Sequence, residues 1–252
     1  MPRYDFRTPR LFVDEPLSEG AEVALVRAQA NYLVNVLRLK PGAHVALFNG
    51  RDGEWRASLL AGGKKAVRLA IDERIRAQAV PGDLHYLFAP LKHARLDYMA
   101  QKAVEMGASR LQPVITRHTQ VQRVNLERMR TNAIEAAEQC GILTIPEVKD
   151  PLAFSAFVDG WVPDRLLVFC DEEADVRDPV EALKSGRGGA LVGPTPVSLL
   201  IGPEGGFAPE ERTALMSLPN VLRIALGPRI LRADTAAVAA LALAQAVLGD
   251  WR

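Results

Sequence analysis

The chain has 252 residues, 48% of them hydrophobic, enough for a sizeable buried core in one large domain or in a small domain joined to a medium one. No run of about 18 apolar residues occurs, so no membrane span is expected, and the opening "MPRYDFRTPR" carries charges with no apolar segment behind them, unlike a secretory signal. The net charge of +1 hides an asymmetry, because residues 1–130 hold 21 Lys and Arg against 13 Asp and Glu, whereas residues 131–252 hold 10 against 17. A basic front half attracts a polyanion by releasing its counterions, although a surplus of solvated arginines gives the same count. Cys140 and Cys170 lack metal-ligand spacing, which argues against a metal site, and without an export signal a reduced, cytoplasmic setting is expected.

The first segment reads as short strands around one helix. "RLFV" (10–13) predicts a strand. Ala30, Leu33, Val34 and Leu37 recur at helical spacing, and Pro41-Gly42 ends that helix. "HVALFNG" (44–50) and "EWRASLL" (54–60) predict a hairpin around Asn49-Gly50 and Asp52-Gly53, and "KAVRLAI" (65–71) predicts a further strand. Such a pattern suits a small β-barrel over residues 1–78. The turn-rich "AVPGD" (79–83) marks the domain boundary.

From residue 82 onward the rhythm becomes strand, helix, strand. "LHYLFAP" (84–90) is followed by a helix whose apolar face is Leu96, Met99, Ala100, Ala103 and Val104, closed by Gly107. "LQPVIT" (111–116) precedes a helix over about 124–140 with Gly141 as its stop. "RLLVFC" (165–170), "VSLLI" (197–201) and "VLRIAL" (221–226) are unbroken apolar runs, suited to a parallel sheet covered on both faces. A loop is expected over "SGRGGALVG" (185–193). The last helix, 234–248 with Asp234 as N-cap, is apolar all round and predicts burial in the core or against a second subunit. The fold class is α/β.

Two glycine-proline loops carry the chemistry. "LLIGPEGGF" (199–207) runs from a buried strand into a turn, with Pro209 opening the next helix. It has no lysine after its last glycine, its glycines have the wrong spacing for a dinucleotide fingerprint, and Glu204 at its centre repels phosphate. It therefore approaches either a neighbouring backbone or an uncharged or cationic ligand. "LGPRILRADTA" (226–236) is a second such loop, after the next strand. Parallel strands place both loops at one sheet edge, where open α/β sheets bind ligands. Arg232 stands just before a helix N-terminus, where the dipole disfavours a cation; either a function or a pairing with Asp234 or Glu204 keeps it there.

At these residues the sequence resembles the RsmE-type small-subunit (16S) ribosomal RNA uridine-N3 methyltransferases of the SPOUT superfamily. "PRLFV" (9–13), "NVLRLKPG" (35–42), "QKAVEMGASRLQPVITRHTQV" (101–121) and "AAEQCG" (136–141) fit in order, and the two loops carry the most specificity. The chain departs from the family pattern at Asn31, where a histidine is frequent, and at Ile142, where an arginine is frequent.

The resemblance implies a PUA-like barrel in front, a SPOUT domain over 82–252 with a C-terminal trefoil knot, a homodimer, and S-adenosylmethionine bound in the knot. It implies that Gly202, Glu204 and Gly206 of the first loop bind the cofactor, together with Leu226, Gly227, Ile230, Leu231, Arg232 and Thr235 of the second. Ile201 joins Ile230 and Leu231 as apolar wall, and the strand end before Asp171 supplies a third side. Arg232 is the candidate for stabilising charge on the uracil, while Glu204 and His118 both remain open as proton acceptor. Arg3, Arg7, Arg10, Arg51, Arg56, Lys92, Arg95, Arg117 and Arg123 are candidates for holding 16S RNA phosphates. Two alternatives stay open: a SPOUT enzyme acting on another RNA position, and a non-enzymatic RNA-binding ribosome-assembly factor.

Overall fold

The computed structural model describes residues 7–61, 67–176, 178–186 and 196–251. The chain divides into two compact units: one is Met1–Val80 with Ala137–Ile145, the other Pro81–Ala136 with Pro146–Arg252.

The first unit is built on β1 (Arg10–Phe12), β2 (Glu22–Ala24), α1 (Arg27–Asn31), β3 (His44–Phe48), β4 (Glu54–Leu59) and β5 (Arg68–Arg76). The strands form a five-stranded sheet in the order β1-β3-β4-β5-β2. β1 pairs with β3 in parallel and the other pairs are antiparallel. The β3–β4 turn is closed by the Asn49 side chain, whose Oδ1 accepts the N–H groups of Arg51 at 3.0 Å and Asp52 at 2.9 Å. Alternate residues of the strands meet in one core of Leu11, Val23, Val45, Leu47, Ala57, Leu69 and Ile71. The helix expected through Leu37 departs from the α form after Asn31 and continues as a π turn over Tyr32–Val36. The wider turn breaks the apolar stripe, so Leu33 is fully buried while Val34 is exposed.

The second unit holds β6 (Leu84–Phe88), α2 (His93–Glu105), β7 (Arg110–Ile115), α3 (Leu126–Cys140), β8 (Glu147–Val148), β9 (Leu152–Ala153), α4 (Phe154–Asp159), β10 (Leu166–Cys170), α5 (Pro179–Gly186), β11 (Val197–Ile201), α6 (Pro209–Met216), β12 (Val221–Ile224) and α7 (Ala233–Val247). The last turn of α3, from Ala137, counts with the first unit. The sheet runs β12-β10-β11-β6-β7-β8, with β9 also on β7, and every pairing is parallel.

The unbroken apolar runs are explained by period-2 alternation into two cores. Tyr86, Phe88, Val168, Leu199 and Ile201 face one side, against Met99 of α2, Met129 of α3, Leu183 of α5 and Leu241 of α7. Leu87, Leu167, Phe169 and Leu200 face the other, against Phe157 of α4 and Leu215 of α6. Each such fully buried side chain stabilises the fold by roughly 1.5–3 kcal/mol. The expected loop over 185–193 lies outside the described residues from 187 onward, and residues 185 and 186 close α5.

Arg10 is a correction to the RNA-facing set. It is buried in the first unit, and its Nε donates to Glu54 Oε1 at 2.5 Å. Its guanidinium also donates to the carbonyls of Ala137, Glu138 and Ile142 at the end of α3. Arg76 meets the other Glu54 oxygen at 2.6 Å and the Gly141 carbonyl at 2.8 Å. Two guanidiniums thus sandwich a buried carboxylate and cap the negative end of a helix. Burial lowers the Arg10 pKa, with Glu54 opposing that shift. The group serves the fold and is not presented to a polyanion.

Candidate functional site

The sheet order brings three strand ends together. Cys170 at the end of β10 lies opposite Ile201 of β11 on one side and Ile224 of β12 on the other. All three strands point the same way, so the loops that follow them leave at one edge. They enclose a cavity of about 780 Å³, lined by residues 170–172, 201–207 and 225–233 with Ala174, Val176 and Ala236.

The first loop is shaped by what its glycines allow. A Cβ at Gly202 would stand 2.8 Å from the Phe207 ring. That ring is buried and packed edge-on to Phe169 at 5.9 Å between centroids, so it has nowhere to go. Gly206 has φ +69°, a left-handed conformation that side chains disfavour. Glu204 is exposed and paired with Arg95 of α2. His118, after β7, lies with its Nδ1 3.0 Å from the Gly206 carbonyl oxygen. Beyond the loop, buried Glu211 of α6 accepts the Ala208 N–H at 2.9 Å and the Arg117 N–H at 2.8 Å, tying the helix start to the segment after β7.

The β10 end is held by charge. Asp171 Oδ2, fully buried, accepts from Arg212 at 3.0 Å and from Arg223 at 2.9 Å. A buried carboxylate persists when paired on both sides in this way. Burial, followed by the adjacent Asp171, pushes the Cys170 thiol up to about 12, so it lines the cavity as an inert apolar group.

The second loop is open. Gly227, Pro228, Arg229, Ile230 and Arg232 are exposed, and Ile230 is 88% accessible. The last helix begins one residue earlier than expected: Arg232, not Asp234, is the N-cap of α7, without a side-chain cap. Asp234 lies in the first turn, and its Oδ1 accepts the Thr235 N–H at 2.8 Å. Neither pairing open to Arg232 forms, since Glu204 is taken by Arg95 and no ion pair of Arg232 occurs among the described residues.

Nine of the ten cofactor candidates line the one cavity: Ile201, Gly202, Glu204, Gly206, Leu226, Gly227, Ile230, Leu231 and Arg232. Thr235 does not; its hydroxyl turns to Asp234 at 3.4 Å. Of the basic candidates, Arg3 lies outside the described residues. Arg7, Arg51, Arg56, Lys92, Arg117 and Arg123 are exposed and Arg95 is half-buried. Arg51 donates to the Asp14 carbonyl at 2.8 Å and Arg56 pairs with Glu73 at 3.0 Å. Among the described residues no cluster of three or more His, Cys, Asp or Glu side chains is placed to hold a metal, and no helix is long and apolar enough to cross a membrane.

Sequence reasoning missed Glu172, Ala174, Val176, Phe207, Pro228 and Arg229 as lining residues. The sequence placed a third side at the strand end before Asp171, but the loop beyond it has no glycine-proline signature, so its lining residues emerge only from the adjacency of β10 to β11 and β12. Phe207 follows directly on the GPEGG motif, and its role depends on a ring packing that no spacing displays.

The chain matches the family model described as "RNA methyltransferase domain" over residues 78–245 and that described as "RNA methyltransferase PUA domain" over residues 27–72. It is 30% identical over 234 residues to ribosomal RNA small subunit methyltransferase E of Rickettsia conorii, covering 92% of this chain and 93% of the relative. The Synechocystis protein of the same name is 33% identical over 237 residues, 90% of this chain and 74% of that one. Among solved structures, a ribosomal RNA small subunit methyltransferase E from Neisseria gonorrhoeae bound to S-adenosyl methionine superposes with a TM-score of 0.83 at 27% identity, covering 97% of this chain and all of that one. A Legionella pneumophila protein in complex with the bound cofactor SAM also gives 0.83, at 30% identity, over 97% of this chain and 99% of that one. The match spans both units, and on this evidence the chain belongs to the ribosomal RNA small subunit methyltransferase E family.

Proposed function

We propose that the protein transfers the methyl group of S-adenosylmethionine to N3 of a specific uridine in 16S ribosomal RNA. The observation that carries this is the cavity where the GPEGG and LGPRILRADTA loops meet, in a chain of this family whose solved relatives hold that cofactor. The lining suits it. Glycines leave peptide groups accessible, three carboxylates, Asp171, Glu172 and Glu204, stand in the wall against two arginines, Arg229 and Arg232, and no lysine is present to select a polyphosphate. That composition favours a cation attached to an uncharged nucleoside.

When bound, S-adenosylmethionine supplies an electrophilic methyl on a positively charged sulfur. Ile201, Ile230 and Leu231 wall the nucleoside, and Leu226, Gly227, Gly202 and Gly206 offer backbone to it. N3 of uridine carries a proton at neutral pH, which must leave before or during attack. The negative charge that develops spreads onto the uracil carbonyls, and Arg232 meets it with paired guanidinium donors. The proton acceptors beside the loop are Glu204 and His118. The first unit, read as a PUA-like barrel over 1–78, holds RNA phosphates through Arg7, Arg51 and Arg56. In the second unit Lys92, Arg117 and Arg123 add positive charge. The second unit, read as a SPOUT domain over 82–252, is knotted at its C-terminal segment and pairs with a second copy. The apolar, half-buried Val238, Ala239 and Ala242 on the outer side of α7 support that pairing. The protein works in the cytoplasm, where ribosomes assemble.

The test is mass mapping of small-subunit RNA after reaction with purified protein and labelled cofactor. One N3-methyluridine is expected, and Arg232→Ala lowers kcat/KM about 100-fold with the cofactor still bound. Methyl on another atom, or near-normal turnover by Arg232→Ala, overturns the assignment of atom or residue respectively.

A further inference from the structure

Three carboxylates stand in a row where β10 opens into its loop: Asp171, Glu172 and Glu173. One guanidinium from α6 serves all of them. Arg212 Nε donates to Asp171 Oδ2 at 3.0 Å and Nη2 to Glu172 Oε1 at 3.3 Å, while Nη1 lies 3.0 Å from Glu173 Oε2. Asp171 is secured by other partners as well. It shares Arg223 of β12, its N–H donates to the Ile224 carbonyl at 2.9 Å, and its Oδ1 accepts the Glu173 N–H at 3.2 Å. The Glu172 and Glu173 side chains are exposed, and among the described residues Arg212 is the one cation paired with either. Asp171 therefore fixes the start of the loop, and Arg212 fixes where the next two carboxylates point.

Glu172 reaches the GPEGG loop. A Cβ at Gly206 would lie 2.6 Å from Glu172 Oε1 and 3.6 Å from Arg212 Nη2. The space a side chain would fill at 206 is thus taken by the carboxylate and its guanidinium, a second reason for glycine there beside its positive φ. Glu172 and Gly206 both line the large cavity, with Ala174 and Val176 farther along the same loop, whereas Arg212 stands behind the wall.

We propose that Arg212 is a positioning residue for the cofactor. By gathering the acidic run it seats Glu172 on Gly206, so that the loops after β10 and β11 close on the cofactor as one wall. Such preorganisation lowers the cost of ordering a loop when a ligand binds. The sign of the effect separates positioning from simple charge. Three carboxylates against Arg212 and Arg223 leave a surplus of one negative charge. Loss of Arg212 raises that surplus to two, and Coulomb attraction alone then binds a cation more tightly. Positioning demands the opposite, because the three carboxylates repel one another and Glu172 leaves Gly206.

The inference rests on the cofactor named under the proposed function, and the experiment separates the two. S-adenosylmethionine affinity is measured by calorimetry for the wild-type protein, Arg212→Ala, Arg212→Lys, Glu172→Ala and the Arg212→Ala/Glu172→Ala double variant, with methyl transfer to small-subunit RNA at saturating cofactor in parallel. Arg212→Ala is expected to bind about tenfold more weakly, with kcat within about threefold of wild type. Arg212→Lys keeps the charge on a single nitrogen that cannot serve three carboxylates at once, and it recovers part of the loss. Because Arg212 acts through Glu172, its removal costs less than about twofold in the Glu172→Ala background. Unchanged or tighter binding by Arg212→Ala overturns the inference, as does full additivity in the double variant or full recovery in Arg212→Lys. A fall in kcat with affinity unchanged overturns it too. Should Arg212→Ala fail to fold, Glu172→Ala alters an exposed side chain and tests the same wall, and wild-type affinity there overturns the inference. Wild-type protein without affinity for S-adenosylmethionine overturns the proposed function first, and this inference with it.

Discussion

At the scale of single residues, the GPEGG loop is explained by close approach and not by flexibility. Gly202 leaves room for the Phe207 ring, which would otherwise be met at 2.8 Å. The ring is fixed by Phe169 and by the core on the α6 side of the sheet. Gly202→Ala therefore moves the loop and not the ring. The expected outcome is a loss of roughly 1–3 kcal/mol of stability, as for other overpacked sites. S-adenosylmethionine affinity falls about tenfold, some 1.4 kcal/mol, in a calorimetric titration. Affinity within twofold of wild type would show that the loop tolerates the methyl and that the glycine serves something else. The charged residues divide in the same concrete way. Arg10 and Asp171 are buried and matched on more than one side, whereas the exposed Arg95–Glu204 pair is worth little to stability and is free to exchange partners.

At the scale of elements, the start of α6 shows how a helix is fixed against the site. Pro209 occupies the first turn, where its missing N–H costs nothing. Glu211 reaches back to the Ala208 N–H and across to the Arg117 N–H, satisfying two donors with one buried carboxylate. Glu211→Ala leaves both unmade, and a loss of about 2–4 kcal/mol follows from the cost of two orphaned donors. Urea unfolding monitored by circular dichroism measures it. Glu211→Gln retains one acceptor oxygen and loses less. Equal losses in the two variants would mean that packing, and not these bonds, holds the helix start. Gln245 of α7 does the same work elsewhere, its Nε2 donating to the Met106 carbonyl at 2.7 Å to lock the end of α2.

At the scale of the whole molecule, the parallel sheet stores a dependence on pH. His85 sits on β6 with its ring largely covered. Burial, then the nearby Arg165 and Arg110, push its pKa down to about 4, against the weaker pull of Asp83. The folded state thus keeps the ring neutral where the unfolded chain protonates it at about 6.5. Because the folded pKa is the lower one, this stability is complete above pH 6.5 and is lost as pH falls from there toward 4. The loss reaches up to about 3 kcal/mol. Thermal unfolding of wild-type and His85→Gln protein between pH 7 and pH 4 reads it. The wild-type curve falls more steeply, and parallel curves would remove His85 as the cause.

Much of this organisation was written in the sequence. The apolar runs at 165–170 and 197–201 specified buried parallel strands because both faces of such a sheet are covered, and Gly107 and Gly141, both at positive φ, ended their helices as expected. The two glycine-proline loops named most of the cavity lining for a local reason, since a missing lysine and a central carboxylate are visible in the residues themselves. Other features depend on neighbours distant in the chain. The π turn after Asn31, the burial of Arg10 beside Glu54 and the end of α3, and the wall contributed by Glu172 and Val176 each arise from partners that no local spacing records. Strand order is the deepest of these. β11 lies between β10 and β6, and β10 between β11 and β12, so three loops well apart in the chain, following Cys170, Ile201 and Ile224, share one edge. Local chemistry determined what each loop offers a ligand. Only the tertiary pairing of strands decided which loops face one another across the cavity.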